Sequence, residues 1–300
     1  MASPFVYLAH RAVLSLTGPD TLTLLERLVT HDTTDWPVGE ARYGGLLTPQ
    51  GKVIADYLAL RTADGILMDM AAAFADDLAK RLKLFRLRSD VEIVRREDLF
   101  VLAGLEPALQ GPRPVSGALH VFVDQRYEDG RLRAFATLSE WQAWYGYHPA
   151  EWSRPVAIYH ADRIAHGVPE QGVDFGAAEV FPSDINMDLF GGVALNKGCF
   201  VGQEVVSRMH RRGKVRRRTI VLSGEMSEPD ELMVDGDTGV PKPIGDVTSL
   251  SGNHALAQVR VDRLAKAEAD AKIVSVDGRP VRVEKPDWLG EEMATFLVDG

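Results

Sequence analysis

A single cysteine, Cys199, stands in a chain of 300 residues. One thiol cannot close an internal disulfide. An iron–sulfur cluster usually takes four thiolates, so a cluster handled here would need ligands from elsewhere, and no resident metal is expected. Long apolar runs are missing too: no stretch approaches the roughly 20 residues of a membrane-spanning helix. The opening Met1-Ala2-Ser3-Pro4-Phe5 lacks the basic and then apolar segments of a secretory signal. The expectation is a reducing, cytoplasmic setting with no membrane partner. Positive charge is in deficit: 34 Lys and Arg against 43 Asp and Glu give a formal net charge of -9. Such a chain is not a general binder of nucleic acid. Internal repeats and low-complexity tracts are absent.

The remaining composition is ordinary globular material, 45% hydrophobic and 26% charged, with a length that suggests about two domains. Val13–Leu16 reads as a strand, and Thr17-Gly18-Pro19-Asp20 opens a helix with Pro at its first position. Lys52–Arg61 and Ile66–Met70 read as a hairpin turned by Asp64-Gly65. Phe74–Arg88 is the clearest helix, with Leu78, Leu82 and Phe85 on one face. Short strands follow at Val91–Val94, Phe100–Ala103 and His120–Val123, the pattern of an α+β domain. Residues 141–165 read as helical, with breaks at Pro149 and Pro155. Residues 167–193 are rich in Gly, Pro and Asp without periodicity, and a loop that long is usually functional or misread. From Thr219 onward short strands recur at 219–222, 246–249, 255–261, 273–276 and 281–284, which suggests a small β-barrel or sandwich.

The densest chemistry lies in Asn196-Lys197-Gly198-Cys199-Phe200-Val201-Gly202-Gln203-Glu204, continuing to Arg208. Glycines flank the cysteine and allow a tight turn or close approach to a ligand. Residues 203–209 read as a short helix. A cysteine at a helix N-terminus beside a mobile Lys197 is expected to be partly thiolate, and the exposed N–H groups there favour an anion. The opposing reading is a loop around a buried cysteine, the commoner fate of a free thiol.

Lys197-Gly198-Cys199-Phe200-Val201-Gly202-Gln203-Glu204 with Arg208 resembles the signature of the YgfZ family, K-G-C-[FY]-x-G-Q-E-x-x-x-R. That family belongs to the superfamily of the glycine-cleavage T-protein, an aminomethyltransferase. Residues 163–169, Arg-Ile-Ala-His-Gly-Val-Pro, resemble the family's R-I-A-x-G-x-P. Residues 182–186 with Gly191-Gly192-Val193 are similar to the segment leading into the signature. Gly245-Asp246-Val247-Thr248-Ser249 is similar to the G-x-V-T-S of the wider family's barrel. The resemblance spans most of the chain and is specific over residues 163–208. It implies an α+β fold of three domains in a ring. A discontinuous N-terminal domain (1–48 and 154–212) would bind folate, an α+β domain (49–153) would be inserted in it, and a C-terminal β-barrel (213–300) would follow. It further implies tetrahydrofolate or a derivative as cofactor, held between the domains. Iron–sulfur client or assembly proteins are the implied partners. Lys197, Gly198, Cys199, Gln203, Glu204 and Arg208 are then the signature's candidate folate-binding residues, with Cys199 and Lys197 as candidate reactive or ligating groups.

Aminomethyl transfer is the alternative. The T-protein branch carries two consecutive aspartates on a strand after paired glycines. Here the matching stretch is Gly51-Lys52-Val53-Ile54-Ala55-Asp56, so only Asp56 remains. Strand alternation places it on the face of Ile54 and Leu58. An acid there is costly unless paired or functional, although a strand-end aspartate reaching water fits equally well. Ala165 stands where that branch has a pterin-holding glutamate. Both departures speak against a working aminomethyltransferase. A third reading, RNA binding, takes up the run Arg208, Arg211, Arg212, Lys214, Arg216, Arg217 and Arg218, but no aromatic residue interleaves the arginines for stacking. Arg211, Arg212 and Lys214 suit the carboxylates of a folate tail better, since guanidinium forks match carboxylates.

Overall fold

The computed structural model describes residues 5–107, 120–146, 154–211, 214–236 and 240–297. By internal contacts the chain forms two compact units. The first holds residues 1–159, 177–179 and 187–203, and the second holds 160–176, 180–186 and 204–300. The unit that begins at the N-terminus is therefore discontinuous.

The first unit is built on two antiparallel sheets. One has the order β3-β4-β5-β2-β6, from β2 (Arg11–Thr17), β3 (Ala41–Leu47), β4 (Val53–Arg61), β5 (Gly65–Ala71) and β6 (Glu92–Arg95). β3 pairs with β4 across residue 48, so the sheet runs unbroken where a domain boundary was expected. Alternation sends Ala12, Leu14 and Leu16 of β2 and Ile66, Met68 and Met70 of β5 to one face. Helices α1 (Thr21–Leu28) and α2 (Ala72–Arg86) cover that face through Leu24, Leu25, Leu28, Leu78 and Leu82. Helix α1 begins at Thr21, not at Pro19, and Asp20 gives it no side-chain cap. The Asp20 carboxylate instead accepts the amide N–H of Asp90 at 2.8 Å.

The other face of β2 and β5 carries Arg11 and Asp69, and Asp69 meets a side chain of the second sheet. That sheet has the order β1-β7-β9-β8, from β1 (Phe5–Tyr7), β7 (Leu99–Pro107), β8 (His120–Val123) and β9 (Arg131–Thr137), with α3 (Leu138–Tyr145) after it. Arg11 Nε donates to Asp69 at 2.6 Å. Arg133 of β9 stands 3.5 Å from Asp69 and donates to Asp124 at 2.9 Å. Arg126 grips both oxygens of Asp124 at 2.9 and 2.7 Å. All five side chains are at most 2% exposed. Burial alone would raise the pKa of Asp124, but Arg126 and Arg133 hold it well below the usual carboxylate range.

Helix α4 (Val156–Ala165) follows. The second unit contains a seven-stranded sheet ordered β15-β14-β11-β12-β13-β10-β16. Its strands are β10 (Arg217–Ser223), β11 (Glu231–Val234), β12 (Lys242–Ser251), β13 (His254–Arg260), β14 (Val274–Val276), β15 (Arg279–Pro280) and β16 (Arg282–Val283). The two edge strands are halves of one short segment split at Val281. β15 pairs with β14 and β16 with β10, so the sheet nearly closes into the expected barrel. The unit also holds α5 (Gln203–Arg211, from Glu204), α6 (Val261–Ala269) and α7 (Asp287–Leu297). Leu264, Ala265, Leu289 and Met293 join its core.

The ion pairs between the two sheets have no water to fall back on. Replacing one member of a buried pair leaves an uncompensated charge, at a cost of about 3–5 kcal/mol. Asp124→Ala is expected to lose that much in urea unfolding. Arg81→Ala, which breaks the exposed Arg81–Asp77 pair, should lose less than about 1 kcal/mol. Equal losses would show that the buried run contributes no more than a surface pair.

Candidate functional site

Residues 187–203 return the chain to the first unit and carry most of the signature. Thr30, just after α1, fixes their approach. Its hydroxyl donates to Gly192 O at 2.6 Å and accepts from Gly45 N at 2.9 Å, while its carbonyl accepts from Ala194 N at 2.8 Å. Lys197 is tucked beneath: its side chain is 1% exposed and its ammonium donates to Val29 O at 3.0 Å and His31 O at 2.6 Å. Burial pulls its pKa down and Glu26 opposes that. In place of the mobile cation expected beside the thiol, the structure has a buried anchor. Phe200 is buried, and Val201 packs against the helix-side core.

Gly202 closes the segment. Its φ is +82°, and a Cβ there would stand 2.6 Å from Thr48 O and 3.1 Å from Gly51 Cα. Gly198 differs, since the nearest atom to its Cβ position is 4.0 Å away. Helix α5 starts at Gln203, four residues past Cys199, so the thiol does not sit at a helix N-terminus. Cys199 is exposed, as are Gly198, Glu204, Arg208 and Arg211. Gln203 is half-buried and reaches Lys197 O at 3.5 Å. Arg212 lies outside the described residues. The signature thus divides into a seated half (Lys197, Phe200, Val201, Gly202) and an exposed half (Gly198, Cys199, Glu204, Arg208).

Asp56 is 1% exposed and accepts the Tyr43 hydroxyl at 2.9 Å. It does not reach water at a strand end. It shares a face with Leu58 but not with Ile54: the register slips between Leu46 and Leu47, and the extra residue, Ile54, turns into the helix-side core. Arg126 sits over the Tyr43 ring, 5.2 Å from its centroid. His31 is buried between Trp36 and Tyr57, with ring centroids 5.1 and 5.9 Å away. Its Nδ1 pairs with Asp32 O at 2.8 Å, and burial pulls its pKa down to about 4, so it is neutral at neutral pH. Ala165, at the end of α4, is exposed and offers no carboxylate.

In the second unit, two of the other family-like stretches converge on Asp174. Arg163 Nη1 donates to Asp174 Oδ2 at 2.6 Å, and Thr248 donates to Oδ1 at 2.7 Å. Thr248 is the bulged residue where β12 slips against β13, and the bulge re-aims its hydroxyl. The arginine run is not one surface. Arg218 is 2% exposed, binds Glu292 with Nε at 3.1 and 3.0 Å and donates to Ser183 O at 3.1 Å. Lys214 lies over the Phe296 ring, 5.6 Å from its centroid. Arg208, Arg211, Arg216 and Arg217 are the exposed arginines among the described members of the run. No cluster of three or more potential metal ligands occurs among the described residues, and no helix among them is long and apolar enough to cross a membrane.

Two family models match the sequence: the GCVT N-terminal domain over residues 8–130 and the C-terminal beta-barrel domain of CAF17 over residues 214–291. A Mycosarcoma maydis protein named iron-sulfur cluster assembly factor IBA57 homolog, mitochondrial, is 31% identical over 229 residues, covering 71% of this chain and 55% of that protein. The chain thus spans little more than half of that relative's length. The human iron-sulfur cluster assembly factor IBA57, mitochondrial, is 24% identical over 301 residues, 93% of this chain and 83% of that one. The glycine cleavage system aminomethyltransferase T from Bartonella henselae superposes with a TM-score of 0.73 at 15% identity, over 94% of this chain and 84% of its own, which shows the fold. The expected cytoplasmic setting is corrected by these relatives: they are named mitochondrial, which points to the mitochondrion and away from the cytoplasm. A lone thiol excludes an internal disulfide but does not separate one reducing compartment from another.

The two glycines beside Cys199 should part company on mutation. Gly202→Ala forces a side chain into left-handed backbone and against a carbonyl, a cost of about 1–3 kcal/mol. Gly198→Ala meets open space and should shift stability by less than about 0.5 kcal/mol. Thermal and urea unfolding of both variants check this, and equal effects would contradict the seating described.

Proposed function

We propose that this chain, a member of the glycine-cleavage-T-like family to which the IBA57 iron–sulfur cluster assembly factors belong, is an accessory protein for assembly or repair of iron–sulfur enzymes, with a reduced folate as its ligand. The observation that carries the reading is the exposure of Cys199 in a loop whose neighbours are fixed. Packing and backbone geometry account for Lys197, Phe200 and Gly202. They do not account for Gly198, Cys199, Glu204 and Arg208, which remain available for a ligand or partner. The relatives' names supply the process, and the signature points to the YgfZ branch.

Folate fits this chain in one respect and not in another. Arg208 and Arg211 are exposed cations on α5 that could meet a carboxylate tail, joined by Arg212 from the sequence. Lys197 is spent elsewhere, and Ala165 supplies no acid for a pterin. Aminomethyl transfer finds less support still. The one surviving acid of that branch's pair, Asp56, is buried beneath Tyr43, and a general base must come within hydrogen-bond reach of its proton.

Two measurements test the proposal. A ligand that binds the native state stabilises it by about 2.7 kcal/mol at 100 times its dissociation constant, so millimolar tetrahydrofolate, or its methyl or formyl form, should raise the melting temperature. Cys199→Ser should leave that temperature within about 2 °C and fail to restore an iron–sulfur enzyme in a strain lacking its own factor. Full restoration by Cys199→Ser would remove the thiol from the function, and no thermal shift with any reduced folate would remove the ligand.

A further inference from the structure

An ammonium has three N–H donors and no acceptor. In Lys197 all three have partners: Val29 O at 3.0 Å, His31 O at 2.6 Å and Glu26 Oε2 at 3.3 Å. Glu26 is itself held, since the same oxygen accepts from Thr33 N at 3.0 Å and Thr33 Oγ1 at 2.7 Å. With its side chain 1% exposed, Lys197 has neither a free donor nor an open path to an anion. Releasing it would break an ion pair and take donors from two backbone carbonyls, and a buried acceptor without a donor is costly. The loop that carries Cys199 is thus tied at one end by Ala194 N and the Lys197 ammonium, and at the other by Gly202 against Thr48. Between the ties, Gly198 and Cys199 face solvent.

We propose that Lys197 and Glu26 form a clasp that positions the Cys199 loop, and that Lys197 is a positioning residue which touches neither folate nor cargo. Glu26 lies on α1, far from the signature in sequence, and enters the site through this contact. The role given to Cys199 rests on the function proposed above, but the clasp itself does not.

The test begins with native, unsubstituted protein and an amine-acylating reagent, mapped by mass spectrometry. Modification of Lys197 requires local opening, so it should lag the exposed Lys80 and Lys83 of α2 by about tenfold or more. Amide exchange over residues 195–202 is then compared in Lys197→Met, Glu26→Ala and Glu26→Gln. The first two should speed exchange there while α2 keeps its protection, and both should lose complementation. Glu26→Gln, which keeps an acceptor, should restore much of each. Acylation of Lys197 as fast as Lys80, or unchanged loop exchange in Glu26→Ala, would overturn the clasp. So would a Lys197→Met variant that loses tetrahydrofolate binding while its loop stays protected, because Lys197 would then be a ligand residue. Full complementation by Cys199→Ser with the clasp intact would instead remove the thiol from the proposed function and leave the clasp standing.

Discussion

The first unit depends on a line of alternating charges buried between its two sheets. Arg11, Asp69, Arg133, Asp124 and Arg126 follow one another with opposite neighbours at each step. None could be buried singly, since an isolated charge is strongly disfavoured in a low-dielectric interior. The line therefore fixes which residue of β9 faces which residue of β5. A slip of one residue would turn Arg133 away from the interface and leave Asp69 and Asp124 short of a partner. Such runs are weak evidence for stability but good candidates for specificity. Here the line also ends at the site. Arg126 lies over Tyr43, Tyr43 holds Asp56, and a Cβ at Gly192 would meet the Tyr43 ring at 2.8 Å. Gly192 is tied to Thr30, at the root of the signature loop.

From that root the signature reads as a mounting with one exposed edge. Lys197 and Gly202 hold it, Phe200 and Val201 anchor it, and the thiol stands outside. A similar economy governs the second unit. A β-bulge at Thr248 and a buried Arg163 meet on Asp174, so two stretches that resemble the family in sequence have a shared structural cause. The family resemblance thus mixes residues that build the fold with residues that the fold leaves free. Geometry separates the two sets where residue identity alone does not.

Periodic elements were legible from sequence. Helix α2 and the β4–β5 hairpin follow from an apolar stripe and an Asp-Gly turn, and the middle of β2 reads as a strand at Val13–Leu16. The C-terminal barrel was legible as a class, although its helices α6 and α7 and strand β11 were not. Val261 looks like the end of the strand before it, yet it opens α6. The bulge at Ile54 depends on the pairing partner and leaves no mark in its own strand. The site was half legible. Its residues were marked by the signature, but Lys197 seemed a cation for Cys199 because the two are neighbours in sequence. The side chain turns instead to Glu26, and nothing local in the sequence names that partner. The helix start expected at Pro19 failed for a similar reason: α1 opens at Thr21, and the Asp20 carboxylate before it accepts from Asp90, a partner far away in sequence. The cytoplasmic setting failed because composition does not distinguish reducing compartments.

The central claim is that Cys199 is presented by a fixed loop and belongs to no core. Its most direct test is the rate at which iodoacetamide labels Cys199 in native protein, set against the rate in urea-unfolded protein at the same pH. An exposed thiol needs no opening of the structure before it reacts, so the two rates should agree within about tenfold. A native rate slower by about a thousandfold or more would mean that labelling waits for unfolding. That result would place the thiol in the core and contradict the account.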